Sequence, residues 1–242
     1  MNPAAADAIA HVFVDALRDR CDIAGADGHH LRRVRRIERG ERITAADGSG
    51  AWRVYEVVEP IDGGIGLEAR GDIEFEPAPV VGIALAVALA KGGLEDVVAA
   101  TTELGVTRIT PLLTERTVVR WEPHRSARSI ERLRATARAA AMQSRRTRIP
   151  AVDPVGTIGG VANRPAVVVA DRAGARATAL EPPSGGEWTV VTGPEGGLST
   201  ADLVPLLRCP RLALGDHVLR AGTAPVAAAA VLGERIAAMN AG

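Results

Sequence analysis

Thr192-Gly193-Pro194-Glu195-Gly196-Gly197-Leu198-Ser199 follows directly on a short apolar run, residues 188–191, with the composition of a buried strand. Glycine just past a strand permits φ > 0 turns and lets the backbone come close to a ligand. A second loop repeats the arrangement further on. Leu214-Gly215-Asp216-His217-Val218-Leu219-Arg220-Ala221-Gly222-Thr223-Ala224 follows the run 211–214. Either loop alone reads as a plain turn. Together they can form the two walls of one slot, suited to a flat ligand held by backbone N–H and C=O groups.

Outward from these loops the chain alternates strand and helix. Residues 80–89 are apolar throughout, as a strand buried on both faces requires. Leu94, Val97, Val98, Thr101 and Leu104 stand at helical spacing, with Gly105 placed to end the helix. Residues 108–113 read as the next strand. Residues 126–143 read as a long arginine-rich helix with Ile130, Leu133, Ala137, Ala140 and Ala141 on one face. Strands at 167–170, 188–191 and 212–214 follow. Thr223 and Pro225 then open a last helix that runs to Met239. This alternation predicts a mainly parallel sheet covered on both faces, with ligands bound beyond the carboxyl ends of its strands.

Residues 1–75 have a different texture. Val12-Phe13-Val14 is a short apolar run, and residues 42–46 and 51–58 flank the turn Asp47-Gly48-Ser49-Gly50. Short strands at 65–69 and 73–75, with a helix at 29–39, complete the pattern of a small barrel. Glu76-Pro77-Ala78-Pro79 stiffens the chain and marks the boundary between domains 1–75 and 80–242.

The 242 residues are 47% hydrophobic but only 2% aromatic, so the core is built from Ala, Val, Leu and Ile. Net charge is zero, which argues against a purely electrostatic nucleic-acid binder. Charge is nevertheless segregated: residues 116–148 carry arginines throughout, opposed only by Glu122 and Glu131. Such local basic surface suits phosphate contacts. Lys91 is the sole lysine, an outlier in an arginine-rich composition. Cys21 and Cys209 are far apart and read as reduced thiols of a cytoplasmic protein. No secretory signal pattern is expected, and the longest apolar run, 80–90, is too short to span a bilayer. The five histidines show no metal-ligand spacing, so no metal is expected.

In this order the two glycine loops, with Arg220 within the second, resemble the cofactor knot of the SPOUT methyltransferases. The closest likeness is to the RsmE family, the 16S rRNA (uracil(1498)-N3)-methyltransferases. Further pieces fit along the chain: His29-His30-Leu31 to Arg36, Lys91-Gly92, Thr102-Glu103-Leu104-Gly105-Val106, Glu115-Arg116 and Gln143-Ser144-Arg145. The resemblance implies an α/β SPOUT domain with a parallel sheet and a deep trefoil knot, preceded by a small PUA-like β-barrel that binds RNA. It also implies S-adenosylmethionine as cofactor, 16S rRNA on the 30S subunit as substrate, and a homodimer with the cofactor slot near the subunit contact.

By position in the motif, Thr192, Gly193, Glu195, Gly196 and Gly197 line one side of the cofactor slot. Leu214, Gly215, Val218 and Leu219 line the other, or else the side chains of Leu214, Val218 and Leu219 pack into the core. Val169 and Asp171, at the end of an earlier strand, reach the methionine end or the ribose. Attack by uridine N3 needs loss of its proton, so Arg220 is the expected catalytic residue. A fixed guanidinium stabilises the anion as it develops. Arg220 can also hold an RNA phosphate or an ion pair within its loop. The general base stays open. Glu195 is one candidate, and the acid that many family members carry in the tripeptide Gly222-Thr223-Ala224 is replaced here by Gly222. RNA contacts are expected from His29, His30, Arg32, Arg33 and Arg36 on the barrel, and from Gln143, Arg145 and Arg146 at the end of the basic helix. Glu115-Arg116 reads as a structural pair, a candidate for the implied dimer contact.

Three functional classes compete. The first is methylation of a uridine N3 or of another rRNA or tRNA base. The second is a phosphate-handling α/β protein that uses residues 193–197 as an anion loop, although no G-x-x-x-x-G-K-[ST] or G-x-G-x-x-G follows any strand. The third is a non-catalytic RNA-binding knot protein.

Overall fold

The structure is a computed structural model that describes residues 7–61, 63–90, 92–117, 123–184 and 186–240. Contacts divide the chain into two compact units: 1–78 with 141–149, and 79–140 with 150–242.

The first unit is a six-stranded, mainly antiparallel sheet. Strands β1 (Ala10–Phe13), β2 (Arg20–Ile23), β3 (Arg42–Ala46), β4 (Ala51–Ile61) and β5 (Gly64–Ala69) lie in the order β1-β3-β4-β5-β2, and β6 (Glu74–Phe75) pairs with β4. Strands β3 and β4 form the expected hairpin. The Asp47 carboxylate fixes its turn by accepting the Ser49 N–H at 2.7 Å, the Ser49 hydroxyl at 2.6 Å and the Ala51 N–H at 3.1 Å. Val12, Ile43, Ala45, Tyr55, Val57 and Leu67 point into one core. At about 1.5–3 kcal/mol for each large apolar side chain buried, such a core holds the sheet together.

Two local readings change. The helix expected over 29–39 begins earlier, as α1 (Gly25–His29), continues as a π-helical turn, His30–Val34, and stops there. Arg36 has φ 52, which a continuing right-handed helix cannot accommodate. Strand β2 was not expected, because its sequence, Arg20-Cys21-Asp22-Ile23, is polar and only Ile23 is buried.

Residues 141–149 thread against this first unit. The Ile149 N–H donates to the Gly48 carbonyl at 3.0 Å, and the Arg148 guanidinium donates to the Glu76 carbonyl at 2.7 Å. Buried His11 donates from Nε2 to the Arg146 carbonyl at 3.0 Å, while its Nδ1 accepts the Thr44 hydroxyl at 2.7 Å. Burial lowers the His11 pKa to about 4, so the ring is neutral and this assignment of donor and acceptor follows.

The second unit is the parallel sheet predicted from the alternating pattern. Its strands are β7 (Val81–Ala88), β8 (Arg108–Leu113), β9 (Ala151–Val152), β10 (Gly156–Thr157), β11 (Val167–Ala175), β12 (Gly186–Thr192) and β13 (Arg211–Leu212). They run in the order β10-β8-β7-β12-β11-β13, with β9 against β8, and every recorded pair is parallel. All of β7 is buried, as its unbroken apolar run requires. Helices α2 (Leu94–Glu103), α3 (Pro123–Gln143), α4 (Ile158–Ala162), α5 (Thr200–Leu203) and α6 (Thr223–Asn240) connect or follow the strands. On α3, Ile130, Leu133, Ala137, Ala140 and Ala141 are buried, the face that periodicity marks. Strand β11 runs five residues past the expected end at Ala170, through an irregularity at which Ala170 and Ala175 both pair with Leu212.

Candidate functional site

A cavity of about 840 Å³ opens at the carboxyl ends of β11 and β12. Its floor includes Val169 and Asp171 of β11 and Thr192 of β12. The first glycine loop supplies Gly193, Glu195 and Gly197. The second supplies Leu214, Gly215, Val218, Leu219 and Arg220. The two loops therefore form walls of one cavity, at the end of a parallel sheet where ligands bind.

The first loop is shaped by two local devices. The Gly197 N–H donates to the Pro194 carbonyl at 2.8 Å, closing a turn in which Gly197 has φ 69, the left-handed region that glycine enters without strain. Ser199 then caps α5 reciprocally with Asp202. The Asp202 N–H donates to the Ser199 hydroxyl at 3.1 Å, and the Ser199 N–H donates to the Asp202 carboxylate at 3.0 Å. In the second loop, the Thr223 and Ala224 N–H groups both donate to the Arg220 carbonyl, at 2.9 and 3.0 Å. This fixes the Arg220 backbone at the entry to α6, with an exposed side chain that lines the cavity.

Several features suit a partly apolar, partly polar ligand. The Thr192 hydroxyl is buried at the cavity with no hydrogen-bond partner, and such groups are rare in proteins. A Cβ on Gly215 would meet nothing within 4 Å, so this wall has room beside its backbone. Val218 is 81% exposed at the rim, an apolar surface without cover. Asp171 accepts the Ala173 N–H at 3.0 Å and lies 3.9 Å from the Arg211 guanidinium. Among the described residues, neither Glu195 nor Arg220 enters an ion pair, so the loop ion pair that the sequence allowed for Arg220 is not formed.

One expected member of the slot falls outside it. Gly196 does not line the cavity; its carbonyl accepts a hydrogen bond from Arg116 at 2.6 Å, and its α carbon lies beneath the Arg116 side chain. The turn at Gly197 rotates Gly196 to the outer side of the loop. Glu115 and Arg116 do not act as a pair either. Glu115 uses its backbone N–H, which donates to the Asp202 carboxylate at 3.1 Å, and Arg116 uses its guanidinium. Sequence reading missed Arg172, Arg211 and His217, which also line the cavity. A weak signal existed for each, since Arg172 follows Asp171, Arg211 opens the strand before the second loop, and His217 lies within that loop.

The residues expected to contact RNA all belong to the first unit. His29, His30, Arg32, Arg33 and Arg36 are exposed there, and Arg32 also donates to the Ile61 carbonyl at 3.0 Å. Gln143, Arg145 and Arg146 belong to the same unit through segment 141–149. Gln143 and Arg145 are exposed. Arg146 is half-buried, and burial lowers its pKa against the raising influence of Glu76. Lys91 lies outside the described residues. Among the described residues no cluster of His, Cys, Asp and Glu is placed to hold a metal ion, and no helix is long and apolar enough to cross a membrane.

Known proteins match both units. An RNA methyltransferase domain matches residues 76–233, and an RNA methyltransferase PUA domain matches residues 23–67. Ribosomal RNA small subunit methyltransferase E of Mycobacterium bovis is 32% identical over 237 residues, 91% of this chain and 90% of that protein. The protein of that name from Synechocystis is 33% identical, covering 84% of this chain and 69% of its own. The crystal structure of ribosomal RNA small subunit methyltransferase E from Neisseria gonorrhoeae bound to S-adenosyl methionine superposes with a TM-score of 0.81. It is 23% identical and covers 96% of this chain and 97% of that one, a likeness of fold. Two glycine loops around one cavity, a PUA domain before them and identity along nearly the whole length give one conclusion: this chain belongs to the ribosomal RNA small subunit methyltransferase E family of RNA methyltransferases.

Proposed function

We propose that this protein transfers a methyl group from S-adenosylmethionine to N3 of a uridine in 16S rRNA, at uracil(1498) by family resemblance, with the assembled 30S subunit as substrate. One observation carries the reading: both glycine loops and Arg220 converge on a single cavity at the carboxyl ends of β11 and β12. That cavity falls in the range of about 300–1,000 Å³ usual for small-molecule sites.

The residues present fit the cofactor. Leu214, Gly215, Val218 and Leu219 line one wall, where their backbone groups would hold a flat base. The Thr192 hydroxyl offers an unused hydrogen bond, and Val169 and Asp171 line the same cavity, available to the ribose or methionine end. S-adenosylmethionine, when bound, supplies an already activated methyl group. The protein must then align the acceptor base and manage its proton; alignment alone is worth roughly 7–11 kcal/mol of a barrier. Arg220 stabilises the negative charge that spreads over the uracil carbonyl oxygens as N3 loses its proton. Glu195, which lines the same cavity from the other loop, is one candidate to accept that proton. The exposed basic residues of the first unit, His29, His30, Arg32, Arg33, Arg36 and Arg145 among them, hold the RNA backbone. A homodimer completes the site, and exposed Val218 at the rim is the surface that a second subunit or the bound ligand would cover. The knot implied by the family is what would keep the second loop tied against the first.

The test is incubation with methyl-labelled S-adenosylmethionine and 30S subunits from a strain lacking the gene, followed by nuclease mapping and mass spectrometry. N3-methyluridine at one site is the expected product. Cofactor binding without transfer to any RNA would leave a non-catalytic RNA-binding protein.

A further inference from the structure

The segment that follows β8 reaches the cofactor loop in an unusual way. Thr114, Glu115, Arg116 and Thr117 form a tight turn, closed by the Thr117 N–H donating to the Thr114 carbonyl at 3.1 Å. The same turn is locked a second time. The Thr114 N–H donates to the Thr117 hydroxyl at 3.0 Å, and the two threonine hydroxyls lie 2.8 Å apart. A turn held twice presents its two central residues in fixed directions.

Both central residues meet the glycine loop. The Glu115 N–H donates to Asp202 Oδ1 at 3.1 Å, and Arg116 Nη1 donates to the Gly196 carbonyl at 2.6 Å. Asp202 is buried, and its other oxygen already caps the loop's end through Ser199. The rigid turn thus grips the loop at two points, the middle of the glycine run and the cap that ends it. The two grips differ in strength. The Asp202 contact belongs to a buried, multiply satisfied cap. The Arg116 contact is a single charge-assisted bond to the most exposed part of the loop, where its side chain also covers Gly196, with Cδ 3.6 Å from the position of an added Cβ. The segment between them, Gly196 to Leu198, holds the left-handed Gly197 that directs the loop into the cavity.

We propose that Arg116 is a positioning residue for cofactor binding: its guanidinium fixes the Gly196 carbonyl and so sets the cavity wall before the cofactor arrives. It touches no ligand itself, since neither Arg116 nor Gly196 lines the cavity. The inference rests on the reading of that cavity as the S-adenosylmethionine site. Pre-ordering lowers the cost of binding, so its loss appears in affinity rather than in chemistry.

The experiment compares wild type, Arg116→Ala, Arg116→Lys and the control Arg132→Ala, whose side chain instead pairs with Glu95 at 2.6 Å. Calorimetric titration with S-adenosylmethionine gives Kd, thermal melting gives Tm, and hydrogen exchange by mass spectrometry follows the peptide that contains residues 193–198. Arg116→Ala is expected to weaken S-adenosylmethionine about tenfold, the scale of one charge-assisted hydrogen bond, and to speed exchange in that peptide. Its Tm and its turnover at saturating cofactor stay near wild type. Arg116→Lys, which keeps one donor, falls between, and Arg132→Ala matches wild type. A lower Tm with unchanged Kd and exchange would make Arg116 merely structural and overturn the proposal. Wild-type protein that binds no S-adenosylmethionine would instead sink the functional reading. The latch would then still be judged by exchange, and equal exchange in wild type and Arg116→Ala would overturn it too.

Discussion

The two ends of the parallel sheet in the second unit use their charged side chains differently: a shared cluster at one end, and at the other the separate pair Arg176–Asp216 at 2.5 Å beside charges without an ion pair. At the amino ends of the strands, one cluster of charges is answered within the protein. Arg108 pairs with Asp153 at 2.8 Å and with Glu187 at 2.9 Å, and Arg164 takes the other Asp153 oxygen at 3.0 Å. Thr110 and Thr107 donate their hydroxyls to Asp153 and Glu187 at 2.7 and 2.8 Å. At the carboxyl ends, Asp171 and Arg211 stand 3.9 Å apart, while Glu195 and Arg220 enter no ion pair among the described residues. The contrast separates two uses of charge on one scaffold. Paired charges lock neighbouring strands in register, whereas charges held by backbone but left without partners are available to a ligand.

The largest expected effect breaks the carboxyl end without touching the amino end. Arg220→Ala should lower the methylation rate by about 10²–10³-fold, the loss usual for one donor to a developing anion. S-adenosylmethionine affinity should change by less than about threefold, roughly 0.6 kcal/mol or less, and Tm should not move. Single-turnover kinetics and calorimetric titration on the same samples separate these quantities. A parallel fall in rate and affinity would make Arg220 a binding group and remove the functional half of the contrast.

The two ends were not equally legible in the sequence. Glycine just past a strand marks a turn and close backbone approach from local chemistry alone, so both loops were legible beforehand; Val169, Asp171, Thr192 and Arg220 came only with the resemblance to a family. Long elements were legible for the same kind of reason. The unbroken apolar run of β7 and the spaced face of α3 carry their burial in their own pattern. Two-residue strands such as β9, β10 and β13 have no pattern to read, and β2 is too polar to show one. Arg211 joins the cavity because β13 lies beside β11, and the Arg108 cluster forms because β12 lies beside β7; neither pairing is local. Segment 141–149 is the strongest case. Its helical spacing continues from α3, yet its partners are Gly48, Glu76 and His11, far earlier in the chain.

At the amino end, Asp153→Asn should cost about 2 kcal/mol of stability, because it removes the charge that two guanidinium groups share. Its effect on S-adenosylmethionine affinity should be nil. Burial alone would raise the Asp153 pKa. The Thr110 hydroxyl together with Arg108 and Arg164 outweighs that and holds it below the ordinary carboxylate range. A depressed folded pKa stabilises the protein above the unfolded value of about 4 and loses that contribution as pH falls through the lowered one. The Tm gap between wild type and Asp153→Asn should therefore be constant from neutral pH down to about pH 5, then narrow in acid. A gap independent of pH would mean that packing, not charge, is what the cluster supplies.

The smallest effects sharpen the boundary of the cavity within one loop. A Cβ on Gly193 would approach the Leu198 nitrogen at 3.1 Å and the Gly197 carbonyl carbon at 3.3 Å, so the loop must shift to admit it. A Cβ on Gly196 would meet only Arg116, at 3.6 and 3.8 Å, which is ordinary contact on the outer side. At Gly197 there is space, but φ 69 strains any residue with a Cβ by about 1 kcal/mol. Substitution by alanine should therefore weaken S-adenosylmethionine most at Gly193 and about fivefold or less at Gly197, the equivalent of that strain. At Gly196 it should leave binding unchanged. The ordering discriminates between two descriptions of the loop that its sequence cannot tell apart. If the whole run faced the cofactor, Gly196→Ala would be as damaging as Gly193→Ala. If the turn at Gly197 directs Gly196 outward, as the Arg116 hydrogen bond requires, calorimetric titration will find it silent.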